Sequence, residues 1–208
     1  MPSSSLPRLF AVIPAAGHSR RMGRPKLLLP LGSNTVIGRM LAALSEPVIA
    51  ATIVVVRRDD EPLRAAIADS GAIPLQPAVA PEEMRQSVEH ALRYIEEEFH
   101  PRPEEGWLLA PADHPLLEPA VIERLASEWR AAQGNIVVPA YRGRRGHPTL
   151  FPFSLAAEVF RLPADQGLNR LVQMHAALVR EVELDSPSVL ADLDTPEDYE
   201  RLRRGIED

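Results

Sequence analysis

The stretch Leu9-Phe10-Ala11-Val12-Ile13-Pro14-Ala15-Ala16-Gly17-His18-Ser19-Arg20-Arg21-Met22-Gly23-Arg24-Pro25-Lys26 changes character twice within eighteen residues. Five apolar residues, stopped by Pro14 and followed by two alanines and Gly17, read as a buried strand leaving into a loop. The loop then gathers four cations, Arg20, Arg21, Arg24 and Lys26, within seven residues beside its glycines. A buried strand that delivers a small-residue, cationic loop to its carboxyl end is the first half of a repeating α/β unit, provided that helices and further strands follow.

They follow. Asn34 or Thr35 can cap a helix that carries Val36, Ile37, Met40, Leu41 and Leu44 on one face, and Ile49 to Val56 supplies a β-branched second strand. Asp60 to Ser70 reads as helix, Ala72 to Gln76 as a short strand, and Glu82 to Phe99 as a helix with Met84, Val88, Leu92 and Ile95 in register. Trp107 to Ala110 is an apolar strand that ends in Pro111-Ala112-Asp113-His114-Pro115, and Glu118 to Gln133 is again helical. Asn135 to Ala140 and His147 to Phe151 read as strands around the basic turn 141–146. Helices over Ser154–Arg161 and Gly167–His175 and a strand over Val179–Leu184 come next. In the last helix Thr195 caps, Pro196 takes the first position and Asp198 stands third after the cap, as in a capping box. This alternation predicts a doubly wound, mostly parallel sheet in a three-layer α/β/α sandwich, one domain over residues 1–208. Ligands of such sheets bind beyond the carboxyl ends of the strands, where strand order reverses.

Composition narrows the function. Hydrophobic residues make 45% and charged residues 25% of 208, and Pro and Gly together only 32, all within the range of a folded domain. With no cysteine, disulfides, thiolate nucleophiles and cysteine-ligated metals are excluded. No apolar run reaches the length of a membrane span and no export signal is visible, so the expected location is the cytoplasm. A formal charge of −6 argues against general nucleic-acid binding, so an anionic ligand must be met by a local basic cluster. Of the 23 basic residues, Lys26 is the only lysine. Where the chain otherwise uses arginine, a compact ammonium at this one position suggests a site that a planar guanidinium would not fit.

The loop is neither a P-loop nor G-x-G-x-x-G: its glycines are six apart and no Ser or Thr follows Lys26. It resembles the signature of the MobA-like nucleotidyltransferases, A-A-G-x-S-x-R-M-G-x-x-K-x-L-x-P, at every fixed position from Ala15 to Pro30. Within that family the likeness is nearest to molybdenum cofactor cytidylyltransferases, and it runs from Phe10 to Tyr199. The resemblance implies a Rossmann-like fold of the nucleotide-diphospho-sugar transferase type and Mg²⁺-dependent transfer of a nucleotide to a phosphorylated acceptor. Physically, successive amides around Ala15, Ala16, Gly17 and Ser19 can hold triphosphate oxygens, while Arg21 and Lys26 stabilise charge that shifts onto pyrophosphate as it leaves. Lys26 and Arg21 are therefore the catalytic candidates; Arg20 and Arg24 vary in the family pattern and read as solvated.

Further positions come with the resemblance. Asp113 and Asp194, the latter in Asp192-Leu193-Asp194-Thr195-Pro196-Glu197-Asp198, match the family's metal-binding aspartates. Ser87 aligns with a nucleotide-side serine, although Glu83 stands where a small residue is usual. Gly146 and His147 match the acceptor segment G-H-P-x-L-F, with Arg145 placed to meet an acceptor phosphate; the bland reading is a tight turn and a solvated hairpin tip. His114, in place of the usual Gln, is a donor to ligand or a turn residue. The acceptor expected is molybdopterin, with a transient contact to a molybdoenzyme or its chaperone. Ala164 and Asn169 depart from G-D-x-G-x-R, and Arg170, one residue on, is rotated by about 100° on a helix, so a sugar phosphate or other small phosphate is the alternative acceptor. Within the resemblance an A-A-G loop is similar to cytidylyl members and L-A-G-G to GTP users, and the Ala16 methyl narrows the space for a purine, so CTP is expected over GTP; sugar nucleotidyltransferases also carry A-A-G, which leaves UTP and dTTP open. From other classes, a non-catalytic nucleotide-binding regulator stays open. An aspartyl phosphohydrolase read from Asp192-Leu193-Asp194-Thr195 is disfavoured, because only 13 residues follow Thr195.

Overall fold

The structure is a computed structural model that describes residues 7–207. In chain order its regular elements are β1 (Leu9–Pro14), β2 (Pro30–Leu31), β3 (Asn34–Thr35), α1 (Val36–Ala43), β4 (Ile49–Val55), α2 (Glu61–Asp69), β5 (Ile73–Leu75), α3 (Met84–Phe99) and β6 (Gly106–Leu109). There follow α4 (Pro119–Ala131), β7 (Ile136–Tyr141), β8 (Arg144–Arg145), β9 (Thr149–Pro152), α5 (Ala156–Val159), α6 (Asn169–Met174), β10 (Val179–Glu183) and α7 (Pro196–Glu207).

β1 is apolar on both faces because both are covered. Leu9, Ala11 and Ile13 pack with α1, α2, α4 and α7, whereas Phe10 and Val12 pack with α3, α5 and α6. The sheet runs β10-β7-β9-β6-β1-β4-β5, with β8 paired to β7. β1 lies parallel to β4 on one side and to β6 on the other. The chain thus winds outward through β4 and β5, returns, and continues on the far side of β1, which puts the reversal of strand order between β1 and β6. The three-layer, doubly wound architecture expected from the sequence is the one observed.

Local signals hold up well. Thr35 caps α1, its Oγ1 accepting from Gly38 N at 3.1 Å. At α7, Asp198 Oδ2 accepts from Thr195 N at 2.9 Å while Thr195 Oγ1 accepts from Asp198 N at 3.2 Å, the reciprocal capping box. Differences arise where pairing is non-local. β9 is inserted antiparallel between β6 and β7, and the short β2–β3 hairpin follows Lys26 directly. The expected helix over Ser154–Arg161 is a 3₁₀ turn at Phe153–Leu155 followed by the single turn of α5. Among the described residues no helix is long and apolar enough to cross a membrane.

Candidate active site

At the carboxyl edge, three segments meet where strand order reverses: the loop after β1, the loop after β6 and the stretch that leads into α7. The first loop is tied down at both ends. Ala15 N donates to Val55 O at 2.9 Å, and Met22 and Leu27 bury their side chains beneath the turns that follow. Ser19 takes a left-handed conformation (φ 49°), so its carbonyl can accept from both Met22 N at 3.0 Å and Gly23 N at 3.1 Å. Its Oγ accepts from Lys26 N at 3.4 Å. The loop therefore folds back and aims Lys26 at the strand edge.

A residue that the sequence did not single out braces this loop. Arg57, just past β4, donates to Gly17 O at 2.9 Å and is itself held by Asp59 at 3.0 Å and Asp60 at 3.3 Å. One arginine among 22, with no motif around it, carries no signal in the sequence.

The expected catalytic and metal residues come together. Lys26 Nζ donates to Asp113 Oδ2 at 2.7 Å, to Leu193 O at 2.7 Å and to Asp194 Oδ1 at 3.1 Å. Arg21 Nη1 reaches the other oxygen of Asp194 at 2.9 Å from a side chain that is 72% exposed. These residues line a cleft of about 800 Å³ together with Ala15, Ala16, Gly17, Ser19 and Ser87. Around Gly17 the space is open, since a Cβ built there meets no heavy atom within 4 Å. Ser87 lies in the second turn of α3, buried at the cleft wall. Glu83 stands at the cap of that helix, where Gln86 Oε1 accepts from Glu82 N at 2.6 Å and Glu83 N at 3.3 Å, so the departure from a small residue falls at a helix start.

Burial would push the Asp113 carboxyl up, but the hydrogen bond from His114 and the adjacent Lys26 charge outweigh it and hold the carboxyl well below the usual carboxylate range. Asp113 is therefore ionised at neutral pH. His114, buried, spends Nδ1 on Asp113 Oδ1 at 3.2 Å and meets the His147 ring edge-on at 5.3 Å between centroids. Burial lowers His147 to about 4, with His114 adding to the effect and Asp113 opposing it, so the imidazole is neutral, and its Nδ1 is buried without a partner.

The acceptor candidates are not all gathered at the cleft. Arg145 Nη2 pairs with Glu181 at 2.6 Å at the exposed tip of the β7–β8 hairpin. The space over Gly146 is filled by the chain itself, because a Cβ there would lie 2.2 Å from Val189 O. Its small size is thus required by Val189, whose carbonyl also accepts from His147 N at 2.9 Å. Only His147 of the three sits against the Asp113 side, through His114. Arg24, read as solvated, lies over the Tyr199 ring at 5.2 Å.

Asp113 and Asp194 supply two carboxylates, and among the described residues no group of three or more His, Asp or Glu side chains is arranged to hold a metal. That donor set suits a hard dication which keeps waters and takes phosphate oxygens for its other ligands, and not a closed structural site.

Residues 11–181 match the MobA-like NTP transferase domain. The chain is 30% identical over 210 residues to the purine catabolism protein PucB of Bacillus subtilis, covering 96% of this chain and 98% of that protein. It is 37% identical over 131 residues to 2-C-methyl-D-erythritol 4-phosphate cytidylyltransferase of Halorhodospira halophila, covering 60% of this chain and 53% of that protein. The crystal structure of Rv0371C of Mycobacterium tuberculosis in complex with manganese superposes with a TM-score of 0.74 at 30% identity, over 96% of this chain and 100% of that one. A cationic loop after β1 and a lysine clasped by two aspartates thus occur in a chain that belongs to the MobA-like NTP transferase family.

Proposed function

We propose that the protein transfers CMP from CTP to a phosphorylated small molecule, with molybdopterin as the preferred acceptor, and releases pyrophosphate. The observation that carries this reading is the Lys26–Asp113–Asp194 cluster on the wall of the cleft that the Ala15–Ser19 loop borders. An acceptor phosphate oxygen attacks the α-phosphorus in line, the bond from that phosphorus to the bridging oxygen breaks, and the electron pair leaves with pyrophosphate. The acceptor phosphate is already ionised at neutral pH, so no general base is needed and catalysis is positioning plus electrostatics.

In this reading the amides of Ala15 to Ser19 hold triphosphate oxygens, Ser87 contacts the nucleotide, and Lys26 with Arg21 meets the charge that develops on the leaving group. Asp113 and Asp194 would hold a divalent cation, Mg²⁺ in the cell, which supplies positive charge at the reacting phosphates. The manganese complex of the Mycobacterium tuberculosis protein supports a divalent cation of this kind. The A-A-G loop and the likeness to a cytidylyltransferase support CTP over GTP. In this reading His147, neutral and packed edge-on against His114, serves the acceptor side.

Pyrophosphate release with Mg²⁺, each of CTP, GTP, ATP and UTP, and molybdopterin or sugar 1-phosphates tests the reading directly. Turnover is expected with CTP and molybdopterin. Turnover only with a sugar phosphate would move the acceptor, and no release with any pair would defeat the enzyme reading in favour of a nucleotide-binding regulator.

A further inference from the structure

Lys26 spends every hydrogen of its ammonium inside the protein. The three acceptors are Asp113 Oδ2, Leu193 O and Asp194 Oδ1, and the side chain is 15% exposed. An ammonium has three donors and no more, so Lys26 can touch a phosphate only by giving up a bond to this cage. The cage itself consists of two carboxylates and a carbonyl, hard oxygens of the type that a divalent cation takes. It also holds one positive charge against two negative ones. Arg21 offsets part of the deficit at Asp194, but from an exposed position where water screens the pair.

We propose that Lys26 is the resident counter-ion of the cation cage: it holds Asp113 and Asp194 together in the unloaded protein and moves out to the nucleotide phosphates when a divalent cation takes its place. The inference rests on the nucleotidyltransferase reading above and adds an order to it. No covalent bond changes. The exchange replaces one positive charge by two between the carboxylates and releases the ammonium to an anionic triphosphate, so charge balance improves at both places. Lys26 outside the cage has the three free donors that phosphate contact requires. The apparent affinity for the cation alone is reduced by the fraction of time the ammonium occupies the cage, and a nucleotide, by giving Lys26 a new partner, raises it.

Because Lys26 is the only lysine, amine acetylation of the full-length wild-type chain reads this one side chain, with the α-amino group on a separate tryptic peptide. The rate at Lys26 is followed by mass spectrometry with Mg²⁺ or Mn²⁺, with sodium chloride at matched ionic strength, and with cation plus CTP. Mn²⁺ binding is measured on the same sample by electron paramagnetic resonance. Saturating cation without nucleotide is expected to raise the rate about tenfold over sodium, and CTP to lower it again. Mn²⁺ that binds and leaves the rate unchanged or reduced overturns the exchange, as does failure of Mn²⁺ to bind the nucleotide-free protein. These outcomes are separable from failure of the parent reading. Lys26 exposed by the cation, with no pyrophosphate released by any substrate pair, would defeat the enzyme and keep the exchange.

Discussion

A cluster of paired charge flanks each end of strand β6, and the two are built in opposite proportions. At its amino end Glu105 is one carboxylate among two guanidiniums. Arg8 binds it through Nε and Nη2, both at 2.8 Å, and Arg102 contributes its backbone N at 3.0 Å and Nη2 at 3.3 Å. At the carboxyl end Asp113 and Asp194 share the ammonium of Lys26, and Arg21 reaches Asp194 from an exposed position. Glu105 is 1% exposed and sealed, whereas the lysine cluster opens on the cleft. A sealed carboxylate between two guanidiniums, one of which also reaches the exposed Glu104 at 3.4 Å, has nothing to gain from a visitor, while two carboxylates around one enclosed ammonium, with Arg21 only at the exposed rim, gain from further positive charge. Stoichiometry, more than distance, separates the structural cluster from the functional one.

The comparison breaks first at Lys26. Lys26→Ala is expected to lower turnover by about 10³-fold with less than about a tenfold loss of CTP affinity, read by pyrophosphate release and calorimetry. Turnover near the wild-type rate would make both clusters structural. Glu105→Ala is expected to do the reverse, costing about 2 kcal/mol in urea denaturation with the turnover number unchanged. The cost stays at the lower end for a buried pair because Arg8 and Arg102, both partly exposed, can turn to water.

Acid sharpens the contrast. Burial pushes the Glu105 carboxyl up, but the bonds from Arg8 and Arg102 win and hold it at about 2 against an ordinary 4.5. A depressed carboxyl stabilises the fold fully above its unfolded value and loses that contribution as pH falls towards the folded one. The urea midpoint of the wild type should therefore drop between pH about 4.5 and about 2, and Glu105→Ala should flatten part of that slope. Asp198, lowered to about 2 chiefly by the Thr195 hydrogen bond, adds to the same window. Asp198→Ala is the smallest expected effect, about 1 kcal/mol by thermal unfolding, since it removes one half of the α7 capping box and leaves the Thr195 cap in place.

What the sequence revealed divides along the same lines. Features set by neighbours in the chain, such as β1 with its loop, the Thr35 cap and the Thr195–Asp198 box, were legible because residue type and spacing fix them. The antiparallel insertion of β9 was not, since strand order depends on partners far away, and two-residue strands such as β2 and β3 carry no period. Lys26, Asp113 and Asp194 were readable as motif residues. The third acceptor of Lys26 was not, because Leu193 acts through a carbonyl that any residue possesses. Gly146 was readable as part of a turn segment, but not that its missing side chain makes room for the Val189 carbonyl of the chain itself. Arg145 marked a basic tip whose partner, Glu181, lies 36 residues on.

The bond from Lys26 to Asp194 joins residues 168 positions apart. During synthesis the phosphate loop and Asp113 leave the ribosome long before the segment that carries Leu193 and Asp194. A chain that ends after β10 contains every strand of the central sheet, yet its Lys26 lacks two of its three partners. The clasp is thus among the last contacts of the maturing polypeptide, and chains aborted before residue 194 carry a lysine without its cage.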